Sequence, residues 1–304
     1  MAFVFYGFFK IEAFVCFKNQ CVMLYLLLSI ICSVAVGVIF KIARKWSTNT
    51  KQIVLFNYLF ALLLCYAVFS PNLTAITAEA PFLLYGGLGI LLPVVFLFLI
   101  TSIKNIGIVK TDAAQRLSLF VSILAAWLLF KEVFSITKLI GITIGFLALF
   151  CVLNKTADNT KSDLKYPILV FFGFGIIDIL FKKVAASTAI PYTTSLFVIF
   201  SIAFFCMIGA VLYEMIVQKK PFEFKNLLFG LLVGGFNFGN ILFYLKAHQA
   251  FSTNPSTVFA GMNMGVILLG SIVGILVFKE KLSKLNYFGL VLALLSIVFI
   301  VVSV

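Results

Sequence analysis

Phe130-Lys131-Glu132 recurs 148 residues later as Phe278-Lys279-Glu280. The same shift lays Ser135 on Ser283, Gly141 on Gly289 and Gly86-Gly87 on Gly234-Gly235. Near the start of each half, Phe40-Lys41 matches Phe181-Lys182 at a shift of 141, a difference that a few loop residues absorb. The chain is therefore one unit written twice. Each unit holds five apolar stretches. Five is odd, so a second copy in one chain must enter a bilayer upside down, a construction typical of secondary transporters.

Composition supports the membrane. Of 304 residues, 63% are hydrophobic and 11% charged, against about 25% charged in a soluble domain. Apolar runs between charged or proline-containing breaks predict ten helices. They fall at about 22–40, 53–69, 82–101, 112–130, 135–153, 166–183, 191–217, 224–245, 255–278 and 283–303. The expected fold is an all-α membrane protein with ten transmembrane helices in two inverted five-helix repeats. Its parts are an N-terminal extension at 1–22, a first repeat at 23–153, a connecting loop at 154–165 and a second repeat at 166–304. Lys10, Glu12 and Lys18 prevent residues 1–21 from spanning, so Met23 is an alternative start and the extension is expected to be dispensable. Pro93 falls inside the third span, where a kink is expected.

The net charge of +13 is distributed over loops, not gathered on one face, so nucleic acid is not an expected partner. Fifteen of the 23 Lys and Arg lie in odd-numbered loops: four after the first span, two after the third, three after each of the fifth, seventh and ninth. The positive-inside rule then places those loops in the cytoplasm and both termini outside. The six cysteines form no C-x-x-C and there is one histidine, His248, so neither a metal site nor a cofactor is expected. No two of the four Asp and six Glu sit at catalytic spacing within a span, which argues against an enzyme.

The duplicated Phe-Lys-Glu, the Ser after it and the Gly nine residues beyond the Glu resemble the final helix pair of drug/metabolite transporter superfamily permeases of the EamA type. The resemblance covers about residues 23–303. It implies a secondary carrier, without an ATPase, that moves small metabolites such as amino acids or drugs outward across the cell (inner) membrane. The chain has no G-x-x-x-x-G-K-[ST] phosphate loop, in keeping with that implication. A membrane sensor or assembly protein on the same fold is the competing class. The sequence leaves the oligomeric state open, a monomer being compatible with it.

Polar groups inside spans are costly, so they mark candidate path residues. The eighth span carries Gly234, Asn237, Asn240, Tyr244 and His248 on one face. Asn263 of the ninth span aligns with Gln115 of the fourth through the shift of 148. These amides suit either a substrate wall or helix-to-helix hydrogen bonding. Arg116 suits either a bidentate clamp on a carboxylate or a side chain snorkelling to the interface. Asp178 is the candidate for carrying a coupling proton, with an ion pair to Lys182 as the alternative. Ser29, Ser33, Gly37 and Lys41 recur at spacing four on the first span and read as a packing seam in preference to a cavity wall. Glu132 and Glu280 read as structural, each three residues before a Ser placed to cap the helix that follows, where a carboxylate suits the positive helix N-terminus.

Overall fold

The structure is a computed structural model that describes residues 18–76, 80–118, 120–121, 135–153, 164–186, 190–250 and 255–302. Phe130-Lys131-Glu132 therefore lies outside the described residues. Among the described residues the chain forms ten α-helices: α1 Lys18–Ala43, α2 Thr50–Phe69, α3 Phe82–Ile106, α4 Ile108–Leu117, α5 Ile136–Leu153, α6 Lys165–Ala186, α7 Tyr192–Ile216, α8 Phe224–Ala250, α9 Pro255–Ile272 and α10 Lys284–Val302. A wider π-type turn, Val273–Val277, extends α9. Five helical stretches are long and apolar enough to cross a bilayer: Met23–Trp46, Thr50–Phe69, Phe82–Ile106, Tyr192–Ile216 and Phe224–Ala247. Leu139–Val152, Met262–Val277 and Lys284–Phe299 are shorter apolar helices. Large apolar side chains such as Leu83, Phe150, Ile216 and Leu276 face outward, as a lipid-embedded surface requires.

Local chemistry sets the helix ends. Asn49 caps α2, its side chain accepting from the N–H groups of Lys51 and Gln52. Ser283 and Asn286 cap α10 reciprocally: Asn286 N–H donates to Ser283 Oγ, and Ser283 N–H to Asn286 Oδ1. Pro93 sits within α3, which continues to Ile106. Only Gly107 separates α3 from α4, with φ of +92°, a left-handed conformation that favours glycine. Helix α4 thus begins at Ile108, four residues before the expected start. That correction has a consequence for the site, because it moves Asp112 from the edge of the helix into its interior.

Packing between helices follows a regular scheme. Helix α1 packs on α8 and α9, and α6 packs on α3 and α4. Helix α2 packs on α8, and α7 on α3. Helix α4 packs on α5, and α9 on α10. Each statement becomes its mate when every helix is exchanged for the one five places along. Three further contacts, α2 with α7, α4 with α9 and α5 with α10, are unchanged by that exchange, whereas the smaller α1–α3 and α2–α3 contacts have no comparable mate among the described residues.

The self-matched pairs run antiparallel. At the start of α10, Asn286 Nδ2 donates to the carbonyls of Cys151 and Val152 at the end of α5. Further along α10, Ser296 Oγ donates to the carbonyl of Gly141 near the start of α5. Gly270 of α9 faces Asp112 of α4, while the later Gly274 faces the earlier Val109. Asn49 at the head of α2 donates to Glu214 near the end of α7 at 2.7 Å, and Tyr66 near the end of α2 stacks on Phe197 near the start of α7. Close approach uses glycine where helices cross. A Cβ on Gly230 or Gly234 of α8 would come within 2.8 Å of a backbone oxygen of α2, that of Ile53 or Asn57, the small-residue packing common in membranes.

Candidate functional site

A cavity of about 440 Å³ lies between the helices, walled from both halves. Helix α4 contributes Asp112, Gln115 and Arg116, and its C-cap residue Ser118 joins them. Helix α8 contributes Asn237, Asn240, Ile241 and Tyr244. Asp178 comes from α6, Met262 and Asn263 from α9, and Ser33 and Gly37 from α1. The apolar remainder is mainly aromatic and aliphatic, including Phe96, Phe174, Phe181 and Phe200. A few placed polar groups in an apolar cleft are what a small-molecule site needs.

All seven residues singled out in the sequence line this one cavity: Gln115, Arg116, Asp178, Asn237, Asn240, Tyr244 and Asn263. Asn237 also serves packing, donating from Nδ2 to Asn57 Oδ1 of α2 at 3.2 Å. Asn240 Oδ1 accepts from Ser29 Oγ of α1 at 2.7 Å. So the amide stripe of α8 does both things the sequence left open, bridging helices on one edge and facing the cavity on the other. Gly234 of the same stripe belongs to the α2 contact alone, and the His248 side chain lies outside those described.

The first helix departs from the expected packing seam. Ser29 is fully buried against α8 and α9, as a seam requires. Ser33 and Gly37, one and two turns on, line the cavity. Arg116 turns inward to α1: its Nη2 donates to Ser33 Oγ at 2.7 Å. It lies eight residues after the first residue of α4, where the sequence had placed it about five into the span. Among the described residues, Arg116 Nε is buried without a hydrogen-bond partner. Asp178, Asp112 and Tyr244 all lie close enough to act on this guanidinium electrostatically. The Lys182 side chain lies outside those described, so the Asp178–Lys182 alternative falls there.

Asp112 is the residue that the sequence reading passed over. It is 8% exposed, and among the described residues its Oδ2 is buried without a hydrogen-bond partner. That oxygen sits against Gly270, where an added Cβ would lie 2.6 Å away. The charge looked like a span boundary because charges usually mark one. The signal that would have found it is Gly107, the single residue that separates the two helices.

Residues 20–154 match the EamA-like transporter family. A protein of Haemophilus influenzae (strain ATCC 51907 / DSM 11121 / KW20 / Rd), described as uncharacterized, is 45% identical over 285 residues. The match covers 90% of this chain and 95% of that protein.

Proposed function

The chain belongs to the EamA-like transporter family, a multi-pass membrane protein of the drug/metabolite transporter type, and on that premise we propose that it is a secondary carrier exporting a small polar or amphipathic metabolite by alternating access. Its ten helices act as two inverted repeats, 23–153 and 166–304, joined by 154–165. This reading is supported by the antiparallel α5–α10, α4–α9 and α2–α7 pairs and by the mate-for-mate packing of the other helices. Two halves related by a twofold axis in the membrane plane give antiparallel mates; an axis along the normal gives parallel ones. The carrier resides in the inner membrane, with the odd-numbered loops in the cytoplasm.

One observation carries the substrate reading. Arg116 reaches into a cavity shared by both halves with its Nε lacking an acceptor. A buried unmade hydrogen bond costs about 1–3 kcal/mol, and an incoming carboxylate on the Nε edge removes that cost. The substrate is thus an anionic or zwitterionic metabolite, an amino acid or similar compound. Asn237, Asn240, Tyr244, Gln115 and Asn263 supply neutral hydrogen bonds around it, and Asp178 carries the coupling proton.

The test is flux. A thermal-shift screen of the purified protein against a metabolite collection identifies a ligand, and proteoliposomes preloaded with it should accumulate labelled ligand by counterflow. Stabilisation by a ligand with no counterflow would indicate a sensor and sink the carrier reading. A second test needs no substrate. In a background lacking the native cysteines, substitutions Asn237→Cys, Tyr244→Cys and Asn263→Cys should react with small water-soluble thiol reagents, and Leu268→Cys, outward-facing and 48% exposed, should react only with apolar ones. Protection at all three cavity positions would mean packing amides.

A further inference from the structure

Glu280 does something that its position in sequence does not announce. It follows the extended α9 and precedes Ser283, yet its carboxylate leaves its own helix pair and crosses to the first half. Oε1 accepts from the N–H of Ile108 at 2.7 Å, and Oε2 from the N–H of Val109 at 3.1 Å. These are orphan donors at the N-terminus of α4, where the helix dipole favours an anion. Lys41 Nζ of α1 completes the set at 3.0 Å from Oε1. The carboxylate is 9% exposed and Lys41 19%. Gly107 has no side chain, and a Cβ there would lie 2.5 Å from Oε2.

This cluster lies about one helical turn beyond one end of the cavity. Lys41 lies one turn beyond Gly37, and Ile108 one turn before Asp112; Gly37 and Asp112 both line the cavity. One turn of helix is about 5.4 Å. At the opposite end the wall includes Tyr192, at the start of α7. We propose that Glu280 is a positioning residue for transport. It clamps the site-bearing α4 to α1 across the two halves, and release of the clamp opens the cavity toward the face that carries the α3–α4 and α9–α10 connections. The inference rests on the carrier reading and adds the element whose making and breaking controls access.

Geometry separates this clamp from a plain ion pair. A lysine cannot accept from Ile108 and Val109, so the exchange Lys41→Glu with Glu280→Lys leaves α4 uncapped. Lys41→Gln removes the ion pair and keeps the cap.

The experiment follows access, not flux, in full-length protein in vesicles of known orientation. Ile103 lines the cavity near the clamp, so Ile103→Cys in a cysteine-free background reports its opening. A membrane-impermeant thiol reagent is applied to one face at a time. Glu280→Gln should raise labelling from the α3–α4 face by about tenfold or more, a shift in the population of the open state. Lys41→Gln should raise it less, and the charge exchange should stay as open as Glu280→Gln. Restored protection in the exchange would reduce the clamp to an ion pair and overturn the capping role. Labelling unchanged in Glu280→Gln at normal abundance would overturn the proposal. If Glu280→Gln fails to fold, Lys41→Gln decides alone, and unchanged labelling there makes Glu280 structural only. Because no substrate is used, altered access in a protein without counterflow would sink the carrier reading and leave the clamp standing.

Discussion

Arg116→Gln should lower transport of an anionic or zwitterionic substrate by about a hundredfold or more, and Arg116→Lys by about tenfold. The two figures follow from the geometry around one guanidinium. Nη2 carries two hydrogens, one of which goes to Ser33. Nε carries one, which goes to nothing. A carboxylate placed along that edge takes the Nε hydrogen and the second Nη2 hydrogen together. Each charge-assisted bond is worth about 1.5–3 kcal/mol. Glutamine offers neither the charge nor the fork, so both bonds go. Lysine keeps the charge and loses the fork, and its ammonium must choose between Ser33 and the ligand. Ser33→Ala should reduce transport only a few-fold, because it frees the guanidinium without removing it. Initial rates of counterflow at matched membrane abundance measure all three. Wild-type activity in Arg116→Lys would end the clamp assignment and leave a point charge in its place.

The all-helical, apolar character of the fold was legible because apolar runs in a membrane have few alternatives. Expected and observed helix boundaries agree within a few residues along most of the chain. The cavity-facing stripe was legible because polar side chains within spans are costly enough to need a reason. Other parts were not. The sequence aligns Gly86 with Gly234, yet Gly234 is pressed against α2 while a Cβ on Gly86 would meet nothing within 4 Å. Identity at a repeat position does not transmit the neighbour. Glu280 was read correctly as a partner of a helix N-terminus and assigned to the wrong helix, since capping is usually local and this contact spans 172 residues. Ser33 and Gly37 were assigned to packing in preference to the cavity wall, because spacing reveals a face and not what it meets.

Asp112 tests whether the site retains a group that the fold would be better without. Its Oδ2 is buried and unsatisfied, and burying a charge without full hydrogen bonding destabilises. The described lining holds two carboxylates, Asp112 and Asp178, and one guanidinium, so removing a charge at 112 moves the cavity toward neutrality. Asp112→Asn keeps the shape and should therefore preserve or raise the melting temperature. On the carrier reading it should also lower transport by about tenfold or more, the trade expected where a strained polar group serves function. A second measurement fixes the physical cause. Gly270→Ala drives a Cβ to within 2.6 Å of Oδ2 and should destabilise the wild type. In an Asp112→Ala background that obstruction is gone and the same change should be nearly neutral. The two sites touch, so a coupling of about 0.5–3 kcal/mol is expected in the double-mutant cycle. Additive melting shifts would show that Asp112 and Gly270 do not press on one another. A loss of stability in Asp112→Asn would show that the carboxylate supports the fold and would remove the case for a functional role at Asp112.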